Sequence, residues 1–412
     1  MEYEVTVEID GHDVNVGRLF CQARRGVEAS SFSYDDEYLH TPSAFALAPD
    51  MPLTEGTIHS SDASMFRVFH DYMPDRWGRT LMKRAERNAA RQEHRTARTL
   101  SEGDMLAGVN DETRQGALRI WSNGVALSPS ENGVPREVSI PDLLGSADRA
   151  AADMNADVRD LLAAGSSLGG ARPKASVRDE RGRLLIAKFP RSVEDEGREV
   201  CAWERTALQL ASACGISVPR TRLLRVRGRA VLLTERFDRT PRGNRIPYLS
   251  GMTAVQGRDG GHYSYLELAE FLETEGGSPQ TDIPRLWKRA LFDCAIGNTD
   301  NHMRNHGFLH TRQGWTLAPA FDINPTAGDN PKTLNTSIDY DDDSAEPEVA
   351  IAVSDLFRVS HDEAKNTARD MAQVLTGWRR VASVNGISAS SIDSMATCFE
   401  AGIAKLRVAG QA

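Results

Sequence analysis

The sequence predicts an α+β chain in two lobes, a β-rich half followed by an α-rich half. Three observations lead there. The opening "YEVTVEIDGHDVNVGRLF" alternates apolar and polar residues across Asp10-Gly11, a hairpin signal. Short apolar runs separated by Gly-containing turns recur between 174 and 238. After residue 239, apolar residues fall mostly at helical spacing.

Taken in order, residues 1–125 form a small N-terminal α+β subdomain. After the hairpin, "SMFRVFHDYMPDRWGRTLMKRAERNAARQEHRTARTLSE" reads as helical, with interruptions near Pro74 and Gly78. "GALRIW" (116–121) reads as a closing strand. "SNGVALSPSENGVPREVS", rich in Ser, Pro, Gly and Asn, marks a boundary. Residues 140–238 follow as a second segment. Helices in "IPDLLGSADRAAADMNADVRDLLAAG" precede the Gly-rich turn "GSSLGGARPK" (165–174). Two strands joined at Arg181-Gly182 come next. "EVCAWERTALQLASACG" then places Val200, Trp203, Ala207, Leu210, Ala211 and Cys214 on one helical face. "RTRLLRVRGRAVLLTERFD" is a further hairpin. Residues 239–412 form a mostly helical lobe.

Composition narrows the function. The chain has 412 residues, 40% hydrophobic and 26% charged, ordinary for a globular cytoplasmic protein. Its formal charge of -9 would repel a nucleic-acid backbone. Five scattered cysteines without a CxxC pair argue against a disulfide framework and a structural zinc site. No apolar run approaches the ~20 residues of a membrane span, and the acidic N-terminus is no signal peptide.

The chemistry concentrates in "AIGNTDNHMRNHGFL" (295–309). The preceding run "IPRLWKRALFDCAIG" is a helix that stops at Gly297, and "GFLHTRQGWTLAPAFD" is a hairpin. The polar residues thus lie on a loop held between rigid elements, where catalytic groups are commonly displayed. A solvated loop would explain the polarity but not the carboxylate that follows. A zinc site would use His302, His306 and His310, but Gly307 interrupts any helix and HExxH is missing. Phosphoryl transfer is the third reading. Asp300 and Asn305 have the D-x-x-x-x-N spacing of a kinase catalytic loop, where Asp accepts the substrate hydroxyl proton and Asn holds Mg2+. A second, metal-binding Asp should follow a hairpin, and Asp322 in "LAPAFDINP" does.

The parts this reading needs upstream are present in order. The Gly-rich turn is neither a Walker A motif nor GxGxxG, since Gly170 is followed by Ala171 and Arg172. Lys188 in "RLLIAKFP" lies amid apolar residues and needs an anionic partner, either phosphates or a helix carboxylate such as Glu204. A Lys snorkelling from an edge strand is the plain alternative. "VLLTERFDR" runs from an apolar strand into a polar turn, where a hinge would offer backbone groups to adenine.

These motifs, "SSLGGARPKA", "IAKFP", "TERFDR", "GNTDNHMRNHGFL" and "LAPAFDINP", resemble in order those of the HipA family of serine/threonine-protein kinase toxins. "HDYMPDRWGR" and "RQGALRI" resemble the small domain preceding that family's kinase core. The resemblance spans most of residues 65 to 330. It implies a two-lobed protein-kinase-like fold that uses ATP and Mg2+ to phosphorylate a protein Ser or Thr. By the same resemblance Gly169, Gly170, Ala171, Arg172, Pro173 and Lys174 would contact phosphates, and Lys188 would bind the nucleotide. Glu235, Arg236 and Phe237 would form the hinge. Asp300 would be the catalytic base, with His302 beside the phosphates and Phe321 next to the metal-binding Asp322. Asn305 and Asp322 would hold Mg2+. Ser167, or its neighbour Ser166, matches the serine that family members autophosphorylate. The implied partners are a small helix-turn-helix antitoxin, through which operator DNA is mainly contacted, and a protein substrate of a class that includes aminoacyl-tRNA synthetases.

The departures matter. Asp300 follows Asn-Thr rather than His-Arg, which argues against control by a phosphorylated activation loop. Phe321 stands where Tyr is common in the family. The acidic run 339–348, "DYDDDSAEPE", reads as a solvated loop. A small-molecule phosphotransferase on the same fold, or a non-catalytic partner of a DNA-binding antitoxin, are the competing functions.

Overall fold

The structure, a computed structural model, describes residues 1–411 apart from 25–26, 61–63, 128–132, 154–155, 166–171, 192–197 and 329. It divides into two compact units. The first comprises Met1–Ser192, Val226–Gly228 and Leu233–Leu249, and the second Val193–Arg225, Arg229–Leu232 and Ser250–Ala412.

In the first unit, β1 (Glu2–Ile9), β2 (His12–Arg24), β3 (Val27–Tyr34), β4 (Thr57–His59), β5 (Leu118–Ser122) and β6 (Val125–Ala126) form a six-stranded sheet. Its order is β4-β3-β2-β1-β5-β6, with every neighbouring pair antiparallel. The β1–β2 turn needs two left-handed residues, and Asp10 and Gly11 supply them at φ 52 and 84. Tyr3, Val5 and Val7 are buried, as the alternation predicts. A bulge at Val5/Thr6 lies opposite Gly17, where a Cβ would come within 2.2 Å of the Ser33 carbonyl oxygen. The expected closing strand is β5, paired with β1 through Val5 and Ile120.

The predicted helical stretch breaks at Pro74 but not at Gly78. The main helix, Arg76–Gln92, starts immediately after Asp75, whose carboxylate accepts the Gly78 N–H at 2.7 Å. Gly78 therefore serves as a capped first-turn residue rather than a stop. A second hairpin, β7 (Lys174–Arg178) and β8 (Leu184–Lys188), turns at Gly182, φ 78. The first unit continues through the 122–139 stretch, so residues 1–125 and 140–192 are compact together. Contacts such as the buried Lys174–Asp75 ion pair at 2.8 Å explain why.

Residues 233–249 are bound into this unit by charge. Asp238 is 2% exposed and accepts hydrogen bonds from Arg236 (Nε, 2.6 Å), Arg239 (3.0 Å) and the Gly116 N–H (2.7 Å). Arg236 also donates to the carbonyls of Thr113 and Arg114. Arg245 reaches the Asp111 carboxylate at 3.1 Å, which Arg119 also holds at 2.8 Å. Burial alone would raise the Asp238 pKa, but Arg236, Arg239 and the Gly116 N–H hold it well below the usual carboxylate range.

The second unit is mainly helical. Its core centres on Trp203, Trp378 and Phe399, with the last two rings stacked at 4.5 Å. Trp203 lies on the helix Val200–Ala213 with Ala207, Leu210 and Ala211, all buried as expected, while Val200 and Cys214, expected on the same face, are half-buried. Its indole N–H donates to Ser391 Oγ at 3.0 Å, on the helix Ala389–Ala409. Among the described residues no helix is long and apolar enough to cross a membrane.

Because Asp238 is buried among paired arginines, Asp238→Asn should destabilise the chain by about 3–5 kcal/mol. Breaking the exposed Arg18–Glu2 pair with Glu2→Gln should cost under about 1 kcal/mol. With its folded pKa depressed, Asp238 contributes stability above its unfolded value of about 4, and this is lost as pH falls. Urea unfolding of the three proteins at pH 7 and pH 4 checks both statements: the gap between wild type and Asp238→Asn should narrow at the lower pH.

Candidate active site

The loop 298–306 is held from behind by the helix Pro279–Ile296. Ile283, Leu286, Trp287, Ala290, Leu291, Cys294 and Ala295 are buried along it, the face predicted by their spacing. Gly297 ends it in the left-handed conformation, φ 60 and ψ 44. A side chain there would be strained and would meet Lys332 Nζ at 2.6 Å. The turn this permits sends the chain directly into Asn298.

Asn298 is the joint of the site. Its amide nitrogen donates to Asp293 Oδ1 at 2.8 Å, and its amide oxygen accepts the Asn324 N–H at 3.2 Å. It thereby couples the helix end to the segment carrying Asp322. The other Asp293 oxygen accepts the Tyr265 hydroxyl at 2.6 Å. Burial pushes the Asp293 pKa up to about 6, against the pull of these hydrogen bonds and of Arg289. Sequence reading did not find Asp293 or Tyr265. Both sit at helical positions that look like ordinary core, and Tyr265 is 28 residues from its partner.

Farther along, Asn301 is latched to Thr336. Its side chain exchanges hydrogen bonds with the Thr336 backbone at 3.1 and 3.2 Å, and its carbonyl accepts the Thr336 hydroxyl at 2.6 Å. The Asn301 carbonyl also faces His306 Nε2 at 3.1 Å. His306 is buried edge-on to Tyr265, and burial, reinforced by Arg289, pushes its pKa down to about 3. His310 packs on Trp315 with ring centroids 5.0 Å apart. The zinc reading thus loses two of its three rings to packing.

Asp300 is exposed, and Asn305 Nδ2 donates to its backbone carbonyl at 2.7 Å. That bond closes the D-x-x-x-x-N loop. His302 caps the single 3-10 turn Met303–Asn305 between them. Asp322 occupies left-handed backbone, φ 56, a strained conformation for a residue with a Cβ. Asn324 braces it, donating to the Asp322 carbonyl and carboxylate, each at 3.3 Å. Asn305 and Phe321 line one small cavity with Asp293, Asn298, Asn301 and His306. The donors suit a hard cation such as Mg2+, being a carboxylate and amide oxygens. Asn324 Oδ1 is buried without a hydrogen-bond partner.

The remaining predicted residues lie in the first unit or outside the described residues. Ser166, Ser167, Gly169, Gly170 and Ala171 are among the latter. Arg172 is half-buried and Pro173 buried. Lys174, expected to contact phosphates, instead has its ammonium in the buried ion pair with Asp75, so its charge is already engaged. Lys188 is half-buried at the end of β8. Glu235 pairs with Arg183 at 3.1 Å. The Arg236 side chain is committed to Asp238, and its backbone N–H donates to the Leu184 carbonyl at 3.2 Å. That leaves no hinge contact to its side chain. Phe237 packs against Tyr248 with ring centroids 6.3 Å apart.

Comparison with known proteins supplies the context. A family model described as the HipA-like C-terminal domain matches residues 166–378, and one described as the HipA N-terminal domain matches residues 7–109. A curated relative, "Putative kinase Y4mE" of Sinorhizobium fredii (strain NBRC 101917 / NGR234), is 26% identical over 148 residues. That match covers 34% of this chain and 33% of the relative, so the chain spans about a third of that protein's length. The solved structure of HipA from Shewanella oneidensis MR-1, in a complex with HipB and operator DNA, gives a TM-score of 0.71 at 16% identity. It covers 98% of this chain and 97% of that one, and so shares its fold. The Helicobacter pylori proinflammatory kinase CtkA gives a TM-score of 0.45 at 16% identity, over 58% of this chain and 93% of its own. That likeness is too low to carry any weight.

The two buried titratable groups predict opposite pH effects. His306 has a folded pKa below its unfolded value of about 6.5. Its contribution is therefore intact above that pH and is lost as pH falls toward about 3. Asp293, with its folded pKa raised, gains stability as pH falls through about 6. The stability difference between wild type and His306→Gln should shrink by up to about 1.4 kcal/mol per pH unit below 6.5. For Asp293→Asn the difference should move the other way. Unfolding free energies at pH 7, 6 and 5 decide it.

Proposed function

Because the chain belongs to the HipA family, we propose that it is an ATP-dependent serine/threonine-protein kinase acting as the toxin of a toxin–antitoxin pair. The observation that supports this most is the closed loop Asp300–Asn305, tied through Asn298 and Asn324 to a strained Asp322. The Asp300 backbone and the Asp322 carboxylate, ordered in sequence as phosphoryl transfer needs them, are held by hydrogen bonds from neutral amide side chains.

In this reading the exposed Asp300 carboxylate orients a substrate hydroxyl and accepts its proton as the hydroxyl oxygen attacks. Asn305 and Asp322 hold Mg2+, which when bound neutralises charge on the ATP phosphates. Lys188 binds the nucleotide, and residues 235–237 offer backbone groups to adenine. His302 stands beside the phosphates. The Gly-rich turn 169–174 covers them. Ser167, or Ser166, is the autophosphorylation site. Phosphate there would add nearly two negative charges beside the ATP phosphates and so oppose nucleotide binding.

The HipA of Shewanella oneidensis was solved with HipB and operator DNA. By analogy this chain would pair with a small helix-turn-helix antitoxin that makes most of the DNA contact. Its substrate would be a cytoplasmic protein, with an aminoacyl-tRNA synthetase as the first candidate to try.

The decisive experiment is transfer of labelled phosphate from ATP into lysate proteins, with mass spectrometry of each labelled band. Label should enter one lysate protein on Ser or Thr, and this chain on Ser167 or Ser166. Label confined to small molecules would instead establish a metabolite phosphotransferase, and no transfer would leave a non-catalytic partner.

Asp300→Asn should lower transfer by about 10²–10⁴-fold while leaving Mg-ATP affinity near wild type, because the lost group acts on the hydroxyl. Asp322→Ala should weaken Mg-dependent ATP binding in calorimetry, since a cation held by few protein oxygens depends on each. Rapid turnover by Asp300→Asn would remove it from the base role.

A further inference from the structure

Tyr265, Asp293 and Asn298 form a buried run of hydrogen bonds leading into the loop 298–306. The Tyr265 hydroxyl donates to Asp293 Oδ2 at 2.6 Å, and Asn298 Nδ2 donates to Asp293 Oδ1 at 2.8 Å. Asn298 Oδ1 then accepts the Asn324 N–H at 3.2 Å, and the Asn324 side chain donates to the Asp322 carbonyl and carboxylate. The order of donors matters. An ionised carboxylate only accepts hydrogen bonds, whereas an amide has one accepting and one donating end. A carboxylate at 293 therefore admits one orientation of Asn298, with its NH2 toward the helix and its oxygen toward Asn324. The amide turned over would set its NH2 against the Asn324 N–H, donor against donor.

The origin of the run is anchored. Tyr265 is the first residue of the helix Tyr265–Glu275, whose start is fixed by a capping box of Ser264 and Glu267. Asp293 lies in the last turn of the helix Pro279–Ile296, and its carbonyl accepts the Asn298 backbone N–H at 2.8 Å. Burial pushes the Asp293 pKa up to about 6, so a charge at this position is costly. A neutral amide would fill the same space without that cost, but it would leave the orientation of Asn298 open.

We propose that Asp293 is a positioning residue for Asp322: accepting at both oxygens, it selects the Asn298 orientation that, through Asn324, holds the left-handed backbone of Asp322. The role of Asp322 as a cation ligand rests on the kinase reading. The hydrogen-bond order does not.

The test exchanges the two side chains in the full chain, as Asp293→Asn, Asn298→Asp and the two combined, at pH 8, where Asp293 is ionised. Amide hydrogen exchange at Asn324 is read in the ligand-free protein. Amides of the helix Pro279–Ile296 report general opening alongside it. Mg-ATP affinity is read by calorimetry. Asp293→Asn frees Asn298 to turn over, so Asn324 should exchange about tenfold faster, with a smaller change along the helix. Asn298→Asp sets two carboxylates against each other and should accelerate Asn324 at least as much. In the combined variant the amide at 293 accepts the Tyr265 hydroxyl and donates to the carboxylate at 298, which still accepts the Asn324 N–H. Every contact is kept with one polarity reversed. Asn324 exchange and Mg-ATP affinity, both impaired in the single variants, should return to within about threefold of wild type.

A combined variant whose Asn324 exchanges as fast as in Asp293→Asn alone would overturn the proposal. So would an acceleration in Asp293→Asn that is equal at Asn324 and along the helix, the mark of a general loss of stability. Should the variants not fold, the wild type still decides, because an Asn324 amide exchanging at the rate of an unstructured chain ends the proposal. Restored exchange in the combined variant, with no Mg-ATP binding by the wild type, would uphold the hydrogen-bond order and refute the kinase reading.

Discussion

A carboxylate buried as deeply as Asp238 cannot stay ionised without compensation, because desolvation of a lone charge costs several kcal/mol. The chain supplies compensation from both directions in sequence. Arg236 and Arg239 flank it, and the Gly116 N–H comes from more than a hundred residues upstream. Arg236 then spends its remaining donors on the carbonyls of Thr113 and Arg114. Arg114 itself is fully buried and donates to the carbonyls of Tyr72, Leu106 and Val109. One unpaired charge would therefore unsettle backbone across the first unit. Residues 233–249 belong to that unit because this network leaves them nowhere else to satisfy their charges.

This constraint also explains what the sequence hid. Alternation along "YEVTVEIDG" and the helical face of "IPRLWKRALFDCAIG" were legible, since period and burial follow from local residue type. "TERFDR" was read as a hinge, a role for its backbone. Its side chains turn out to be occupied in an ion network, for which no local pattern exists. Arg236 and Asp238 are only two residues apart in sequence, yet their burial depends on Thr113–Gly116 far away. Lys174 shows the same limit. A lysine after a Gly-rich turn suggests phosphate, and only the fold brings Asp75 to it.

The loop 298–306 shows the complementary case. The pattern of Asp300, Asn305 and Asp322 was legible because spacing is itself the signal. Their support was not: Asp293 and Tyr265 sit among core residues, and only a buried hydroxyl–carboxylate contact at 2.6 Å distinguishes them. The strain at Asp322 was equally invisible, since nothing in "AFDINP" announces a positive φ. It is stabilised by Asn324, two residues on, and by Asn298 from the helix end.

The two units thus solve one problem by different means. Where carboxylates only hold structure, as at Asp238 and Asp111, arginines surround them and hold their pKa values low. In the second unit's loop 298–306 and the segment after it, positioning falls to amides: the side chains of Asn298, Asn301, Asn305 and Asn324 hold neighbouring groups through hydrogen bonds. An amide can orient a neighbour from either end while adding no net charge. Bracing of this kind brings no positive charge of its own to the Asp300 and Asp322 carboxylates, as the roles proposed for them require. An arginine at any of those four positions would fix the loop as firmly and would compete with the chemistry it is meant to support.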